Sequence, residues 1–357
     1  MADWTDAPLT ATVARLTDVP LALREAVKAG AKDHATHAAQ FDALPALREI
    51  ELGGVPPRRA SVPGAARVLF WNVERLRHLG AITETLRDAS PDVLLLCEID
   101  RGMARSGNTD RVADLAGRLG AGYAYAVEFV ELDLGDVHEK RTHAGETNRD
   151  GLHGAAVLSD TALARPFLIR IERRGDWFDG SRDEPRVGGT IALGAQVDIA
   201  GTAITCVSVH LESRGDPVER AADMDRLITL VDAHAPGAPA ILGGDFNTST
   251  ASYAERTADR AGWLAKLDAE PMRLLRPQLR EPLFDLAQMR GYDWRACNVP
   301  DAPTTRHSAG SERRRSKIDW FFTRGLTTTD PRIIPAVRPD GTPSSDHEAL
   351  IVTIKPG

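Results

Sequence analysis

The chain has 357 residues, and its 44 basic residues against 51 acidic ones leave a formal net charge of −7 with histidine neutral. Apolar residues make up 42%, about 50% once glycine is added, which is a globular share and excludes disorder as the main theme. The longest apolar run, Val93 to Cys97, is far short of the ~20 residues of a membrane span, and the acidic balance argues against gripping duplex nucleic acid by blanket electrostatics.

The three cysteines Cys97, Cys206 and Cys297 lie far apart, neither a disulfide framework nor a zinc pattern. Met1 to Asp6 shows no basic segment leading into an apolar core, so no secretory signal is expected and a reducing cytoplasm is the expected location. At ~150 residues per domain the length suggests two units.

Residues 1 to about 52 read as helical, and the Gly- and Pro-punctuated run from Gly53 to Gly64 reads as a linker. The expected division is a helical N-terminal appendage and linker over 1–60, with a partner-binding arm as the alternative, and a catalytic domain over 64–357. His34 and His37 on this segment make a weak metal-pair signal and read as surface residues. Short β-rich runs follow: strands over 67–73 and 92–97, an extended stretch over 123–132, and strands at 153–158, 166–172, 189–199 and 202–210. Helices are expected over 78–88, 109–119 and, with an amphipathic pattern, 217–234. A buried strand over 238–243 precedes a mostly helical, irregular stretch over 251–290, and strands near 318–323 and 348–354 end the series. Segments 133–150 and 298–316 read as long loops, which are often functional in compact domains. Strands mixed with helices, some in tight pairs, indicate a mixed α/β fold rather than a purely parallel doubly wound sheet.

Polar groups stand at the ends of the apolar strands. Asn72 and Glu74 end the first, Glu98 follows Val93 to Cys97, and His210 ends Ile204 to Val209. Asp245 and Asn247 follow Ala240 to Gly244, Asp319 sits inside Lys317 to Phe322, and Asp346 and His347 precede Glu348 to Val352. Each alone has a plain structural explanation, because Gly, Asp and Asn suit turns. Asp319 is the exception: flanked by Ile318 and Trp320, it needs a buried partner, and His347 would serve. Carboxylates crowded on one rim repel unless a cation or a shared proton intervenes. Hard oxygen ligands of this kind suit Mg²⁺ or Mn²⁺ better than zinc.

The ordered series Asn-Val-Glu, Leu-Leu-Cys-Glu, Val-His-Leu, Gly-Gly-Asp-Phe-Asn, Ile-Asp-Trp and Ser-Asp-His resembles the endonuclease/exonuclease/phosphatase superfamily over roughly residues 64–357. Gly151 to Ser159 resembles that family's central strand, with Ala155 where Asn is usual, and Cys97 replaces the usual Gln before Glu98. The resemblance implies a DNase I-like, four-layer α/β/β/α sandwich of two mixed sheets. It implies Glu98 as metal ligand, with Glu74 and Asp346 as helpers and Asn72 orienting Glu98 or a metal water. His347 would be held by Asp319, Asp245 and Asn247 would position water and phosphate, and His210 would bind the phosphate or protonate the leaving oxygen. Whether Asp245 or His347 takes the water's proton stays open.

For substrate contacts, Arg105 and Asn108 follow Glu98 closely, Arg186 resembles a family arginine near the site, and Arg315 belongs to a basic run with Arg313, Arg314 and Lys317 that could clamp phosphate. The expected function is a Mg²⁺- or Mn²⁺-dependent phosphodiesterase or nuclease, with single-stranded or damaged nucleic acid among its substrates. A phosphomonoesterase or a sphingomyelinase-like lipid phosphodiesterase is the alternative, and a scaffold without catalysis is a third reading. No protein partner is implied. The inositol 5-phosphatase subgroup is disfavoured, because Trp-Cys-Asp-Arg is replaced by Ser316-Lys317-Ile318-Asp319-Trp320.

Overall fold

The strands bury both faces, and this sets the layering. In β3 (Ala66–Asn72) Val68 and Phe70 enter one core while Leu69 and Trp71 enter another. In β4 (Val93–Arg101) Val93, Leu95 and Cys97 alternate in the same way with Leu94 and Leu96. A strand with apolar groups on both sides must be covered on both sides. The computed structural model, which describes residues 6–172, 175–179, 184–307 and 314–357, shows how.

Among the described residues the larger sheet has nine strands. It runs β1 (Thr12–Val13), β2 (Ile50–Gly54), β5 (Gly122–Glu131), β6 (Leu152–Ser159), β4, β3, β14 (Ala349–Pro356), β13 (Leu326–Ile334), with β8 (Arg186–Gly188) also on β5. The smaller sheet runs β12 (Asp319–Arg324), β11 (Ala240–Asp245), β10 (Thr202–His210), β9 (Ile191–Ile199), β7 (Ala164–Arg170). Both are mixed: β3 and β10 pair in parallel with β4 and β11, and β4 and β11 pair antiparallel with β6 and β12.

Three cores separate four layers. One lies between the larger sheet and the helices α3 (Leu79–Ala89) and α4 (Arg111–Leu119), through Ile82, Leu86, Val112 and Leu115. A second lies between the sheets, and a third under α6 (Pro217–His234) and α9 (Leu283–Met289). This is the expected α/β/β/α sandwich of two mixed sheets. The start of α6 is set locally: the side chain of Asp216 accepts from the Glu219 N–H, the Glu219 side chain accepts from the Asp216 N–H, and Pro217 opens the helix. Gly243 sits between its in-sheet neighbour Phe321 and Leu95 of the facing sheet: a Cβ there would come within 2.7 Å of the Phe321 ring and 3.0 Å of Leu95.

Several expectations are corrected. The first 52 residues are not purely helical: besides α1 (Leu21–Ala29) and α2 (His34–Ala43) they supply β1 and most of β2, and β2 pairs with β5. His37 is not a surface residue. It packs between the rings of Phe41 and Phe178, with Nε2 3.1 Å from the Gly188 carbonyl oxygen. The 133–150 segment contains α5 (Val137–Thr142), capped reciprocally by Asp136 and Glu139. β13 escaped the sequence reading because it is a partly exposed edge strand, with Pro331 at its bulge instead of an apolar alternation.

Lys317 is buried with its ammonium 4.4 Å from the Trp320 ring centroid, and Nζ has no hydrogen-bond partner among the described residues. Burial pushes it down to about 8. The folded state therefore carries a costly charge below pH 8, and the cost fades as pH rises from 8 towards the ordinary value of 10.5. Lys317→Met is expected to stabilise the protein by roughly 1–3 kcal/mol at pH 7, with the gain shrinking towards pH 10. Urea unfolding at both pH values checks this; a pH-independent or negative difference contradicts it.

Candidate active site

Strand ends carry the polar groups to one rim. In the smaller sheet the register sets His210 opposite Asp245 and Asp245 opposite Asp319, so three motifs distant in sequence become neighbours. From the facing sheet come Asn72 at the end of β3, Glu98 in β4 and Glu128 in β5. The ladder between β4 and β6 shifts register between Leu96 and Ile99, and Glu98 takes φ 57. A bulge re-aims a side chain, and a left-handed non-glycine residue is a strained one. Glu74, Arg75 and Leu76 also have positive φ, turning the chain sharply after Asn72. The Ser-Asp-His loop is tied to β3: Ser345 Oγ donates to the Asn72 carbonyl at 2.7 Å, and Trp71 Nε1 to the His347 carbonyl at 2.8 Å.

These residues surround a pit of about 310 Å³ whose walls include Glu98, Glu128, His153, His210, Asp245, Asn247, Asp346 and His347, together with Arg75, Trp177, Glu184 and Arg186. His347 Nδ1 lies 2.9 and 3.0 Å from the two Asp319 carboxylate oxygens, which leaves Nε2 directed towards Asp245 at 3.7 Å. His210 Nδ1 lies 3.1 Å from Glu128, and its Nε2 lies 4.0 Å from the same Asp245 oxygen. Two acid-held imidazoles thus flank one carboxylate. Asn72 Nδ2 donates to Glu98 at 2.9 Å and, more weakly, to Asp245 at 3.3 Å. The Asn247 N–H donates to Asp245 at 3.0 Å, and its side chain is anchored to the Leu211 carbonyl.

Electrostatics separate the acids. Burial, and next the Asp319 charge, push Asp245 up to about 6. Burial followed by Asp346 raises Glu74 to about 7. Burial also opposes ionisation of Glu98, but Arg75, His210 and His153 overcome it and hold the carboxyl well below its usual range. Burial disfavours a charged His210, yet Glu128 raises it to about 10. His347 is raised above its ordinary value in the same way, by Asp319 and then Asp245 against burial.

Glu74, Glu98 and Asp346 form the carboxylate side of the site. Glu74 accepts from the Asp346 N–H at 3.0 Å, and Asp346 Oδ1 is buried without a hydrogen-bond partner among the described residues. An orphaned carboxylate oxygen beside two further acids fits a hard divalent cation. Asp245, Asp319 and His347 also lie with ligand atoms within 4.8 Å of one another, but both Asp319 oxygens face the imidazole. That group reads as an acid–imidazole–acid chain.

The expected set Asn72, Glu74, Glu98, His210, Asp245, Asn247, Asp319, Asp346 and His347 is brought to this one place. The expected substrate contacts fare differently. Arg105 does not face the pit: its guanidinium is buried among Asp100, Glu131, Glu139 and Glu184. Asn108 ties its own loop, donating to the Thr147 carbonyl and accepting from the Arg149 N–H. Arg315 is bound to Glu348 and the Thr305 carbonyl and lines no cavity described here, while Arg313 lies outside the described residues. Arg186 is on the pit wall, held by Glu131 and Glu184 and stacked near Phe129 and Trp177.

Sequence reasoning missed Glu128 and Arg75. A lone carboxylate between Val127 and Phe129 was the available signal for the first, the same one that marked Asp319. Nothing local marked Arg75, whose place depends on the left-handed turn.

Similarity to known proteins agrees with this geometry. The family profile described as the endonuclease/exonuclease/phosphatase family matches residues 69–347, more than half the chain. A protein of that description from Beutenbergia cavernae is similar in structure at TM-score 0.54 and 17% identity, covering 82% of this chain and 72% of that one. One from Bacteroides vulgatus gives 0.52 and 16%, covering 82% and 99%. The human Nocturnin catalytic domain with bound sulfate gives 0.50 and 16%, covering 86% and 97%. Among curated proteins there is no match. With the family's motifs converging on one pit in a four-layer sandwich, the chain belongs to the endonuclease/exonuclease/phosphatase family.

Proposed function

We propose that this protein hydrolyses phosphate esters with a divalent metal, Mg²⁺ or Mn²⁺, and that its substrates are phosphodiesters of nuclease type. The observation that carries this is the pair of acid-held imidazoles flanking Asp245, in one pit with the carboxylates Glu98 and Asp346 and with Glu74 held against the Asp346 backbone. Those three carboxylates would hold the cation, which supplies neutralisation of phosphoryl charge and activation of water.

The chain's own groups do the rest. Asp319 keeps the Nδ1 proton on His347, so Nε2 points into the pit and, being protonated at neutral pH, donates to a phosphoryl oxygen. Glu128 does the same for His210, placed to hydrogen-bond the phosphate or protonate the leaving oxygen. With both imidazoles charged, Asp245 is the group left to accept the water's proton, and its upward shift to about 6 suits a base near neutrality. Asn72 and the Asn247 N–H orient Glu98 and Asp245. Arg186, on the pit wall, adds a positive charge near the phosphate.

Three buried free cysteines are compatible with work in a reducing cytoplasm, and no helix among the described residues is long and apolar enough to cross a membrane. Single-stranded or damaged nucleic acid is the substrate class in view, and no protein partner is needed.

Bis-p-nitrophenyl phosphate, p-nitrophenyl phosphate, single- and double-stranded DNA, RNA and sphingomyelin, each with Mg²⁺, Mn²⁺ or EDTA, test the reading. Diester cleavage that EDTA abolishes and added metal restores is expected. Cleavage of the monoester alone points to a phosphomonoesterase, of sphingomyelin alone to a lipid enzyme. A folded protein that cleaves nothing leaves a scaffold.

A further inference from the structure

Beside the pit lies a second cavity of about 530 Å³ that shares Ser213, Asp346 and His347 with it. Its far wall is built by α7 (Tyr253–Ala258) and α8 (Arg260–Ala269), which stand in the connection from β11 to β12. These helices bring their own small core, Ala251, Trp263 and Leu267 with Leu274 against it, separate from the three cores of the sandwich. The three named side chains other than Ala251 line the cavity, joined by Leu264 and Ile318.

The rim has the opposite character. Among the described residues Arg256, Arg260, Arg314 and His307 line it against one acid, Asp346, in a chain whose net charge is −7. Arg314 pairs with Asp268 through an exposed contact, which is worth little. Arg256 donates to the backbone carbonyls of Ser213 and Ser252. Arg260 is exposed, and no hydrogen bond or ion pair of its side chain is formed among the described residues. An apolar floor with cationic edges, in the size range of ligand sites (~300–1,000 Å³), fits an apolar ring carrying negative charge. Because the cavity opens onto His347, an ester bound in the pit would send one arm into it.

We propose that this groove is the arm subsite of the enzyme: it takes a nucleotide unit that carries a second phosphate beyond the scissile one, with the ring on the Trp263–Leu267 floor and the second phosphate at Arg260 and Arg314. The inference rests on the phosphodiesterase reading and deepens it, naming the arm the substrate must have. A zwitterionic headgroup with its cationic end in the groove would meet three arginines, which disfavours it.

Two synthetic esters test it: thymidine 5′-(p-nitrophenyl phosphate) with and without a 3′-phosphate. The wild type should show kcat/KM at least tenfold higher for the 3′-phosphorylated ester, mainly through KM. Arg260→Glu, at an exposed position that folding does not depend on, should bring the ratio to about one or below. Thr257→Trp, which puts a bulky ring at the cavity lining, should lower both nucleoside esters relative to bis-p-nitrophenyl phosphate. A wild-type ratio near one, or a ratio that Arg260→Glu leaves unchanged, overturns the inference. So does preference for a phosphocholine diester.

Binding separates this from the hydrolase reading. Calorimetry with thymidine 3′,5′-bisphosphate in EDTA should show at least tenfold weaker binding to the Arg260→Glu protein. If that holds while no ester is cleaved, the phosphodiesterase reading falls and the groove stands. If diesters are cleaved but bisphosphate binding is the same in both proteins, the groove falls and the hydrolase stands.

Discussion

His347→Gln should reduce kcat on a diester by about 10²–10⁴-fold, the range supplied by one positioned acid–base or donor group. The imidazole faces Asp245 with one nitrogen and is fixed by Asp319 through the other, while its backbone carbonyl is held by Trp71. The substitution therefore removes the donor and leaves the backbone anchor. Asp319→Asn should also lower kcat, because the neutral amide no longer holds the imidazole protonated, and the ring loses the charge with which it meets the phosphate. The double variant should be no worse than His347→Gln by more than a few-fold, since the two act as one unit. Rates under saturating substrate, with metal present and the fold checked by circular dichroism, decide it. A loss below fivefold for His347→Gln, or fully multiplicative losses in the double variant, would place the chemistry elsewhere.

The second large effect is on stability. Arg105→Met should destabilise the fold by about 3–5 kcal/mol, the cost of breaking a buried charge network from one side. Its guanidinium takes both Asp100 oxygens at 2.9 Å and reaches Glu131, Glu139 and Glu184. Removing the cation leaves four buried carboxylates with less compensation, and Glu131 is already pushed up to about 7, by burial more than by any neighbour. The damage should extend to the pit, because Glu184 and Glu139 also pair with Arg75, which helps line it. Arg105→Lys should recover only part of the loss, since an ammonium cannot reproduce the planar fork. Urea unfolding midpoints measure both. A loss under about 1 kcal/mol for Arg105→Met would show that the carboxylates neutralise or rehydrate without it.

Arg105 also shows where a sequence reading stops. Its position seven residues after Glu98 suggested a ligand contact, and proximity along the chain was the only argument. What decides its role is that Glu131, Glu139 and Glu184 arrive from β5, α5 and the segment before β8, none of which is near it in sequence. Glu128 is the converse case. A carboxylate inside an apolar strand is a local signal of a buried partner, but which partner it has, His210, follows from the stacking of one sheet on the other. Arg315 and Lys317 stand two residues apart in one basic run, yet the half-exposed Arg315 pairs with the buried Glu348 while Lys317 is itself buried against Trp320.

The sequence by itself determined the short apolar strands, the amphipathic helix α6 and the turn-forming motifs at the strand ends, because apolar patterning and turn chemistry act over a few neighbouring residues. Which nine residues would meet came from the resemblance those motifs carry, not from local pattern. Only the tertiary structure decided the strained turns that aim Glu98 and Arg75, the pairing of Glu128 with His210, the burial of Arg105 and the charged groove under α7 and α8. Those depend on charges and surfaces brought together across long separations, where burial and Coulombic contact, rather than local pattern, set what each side chain does.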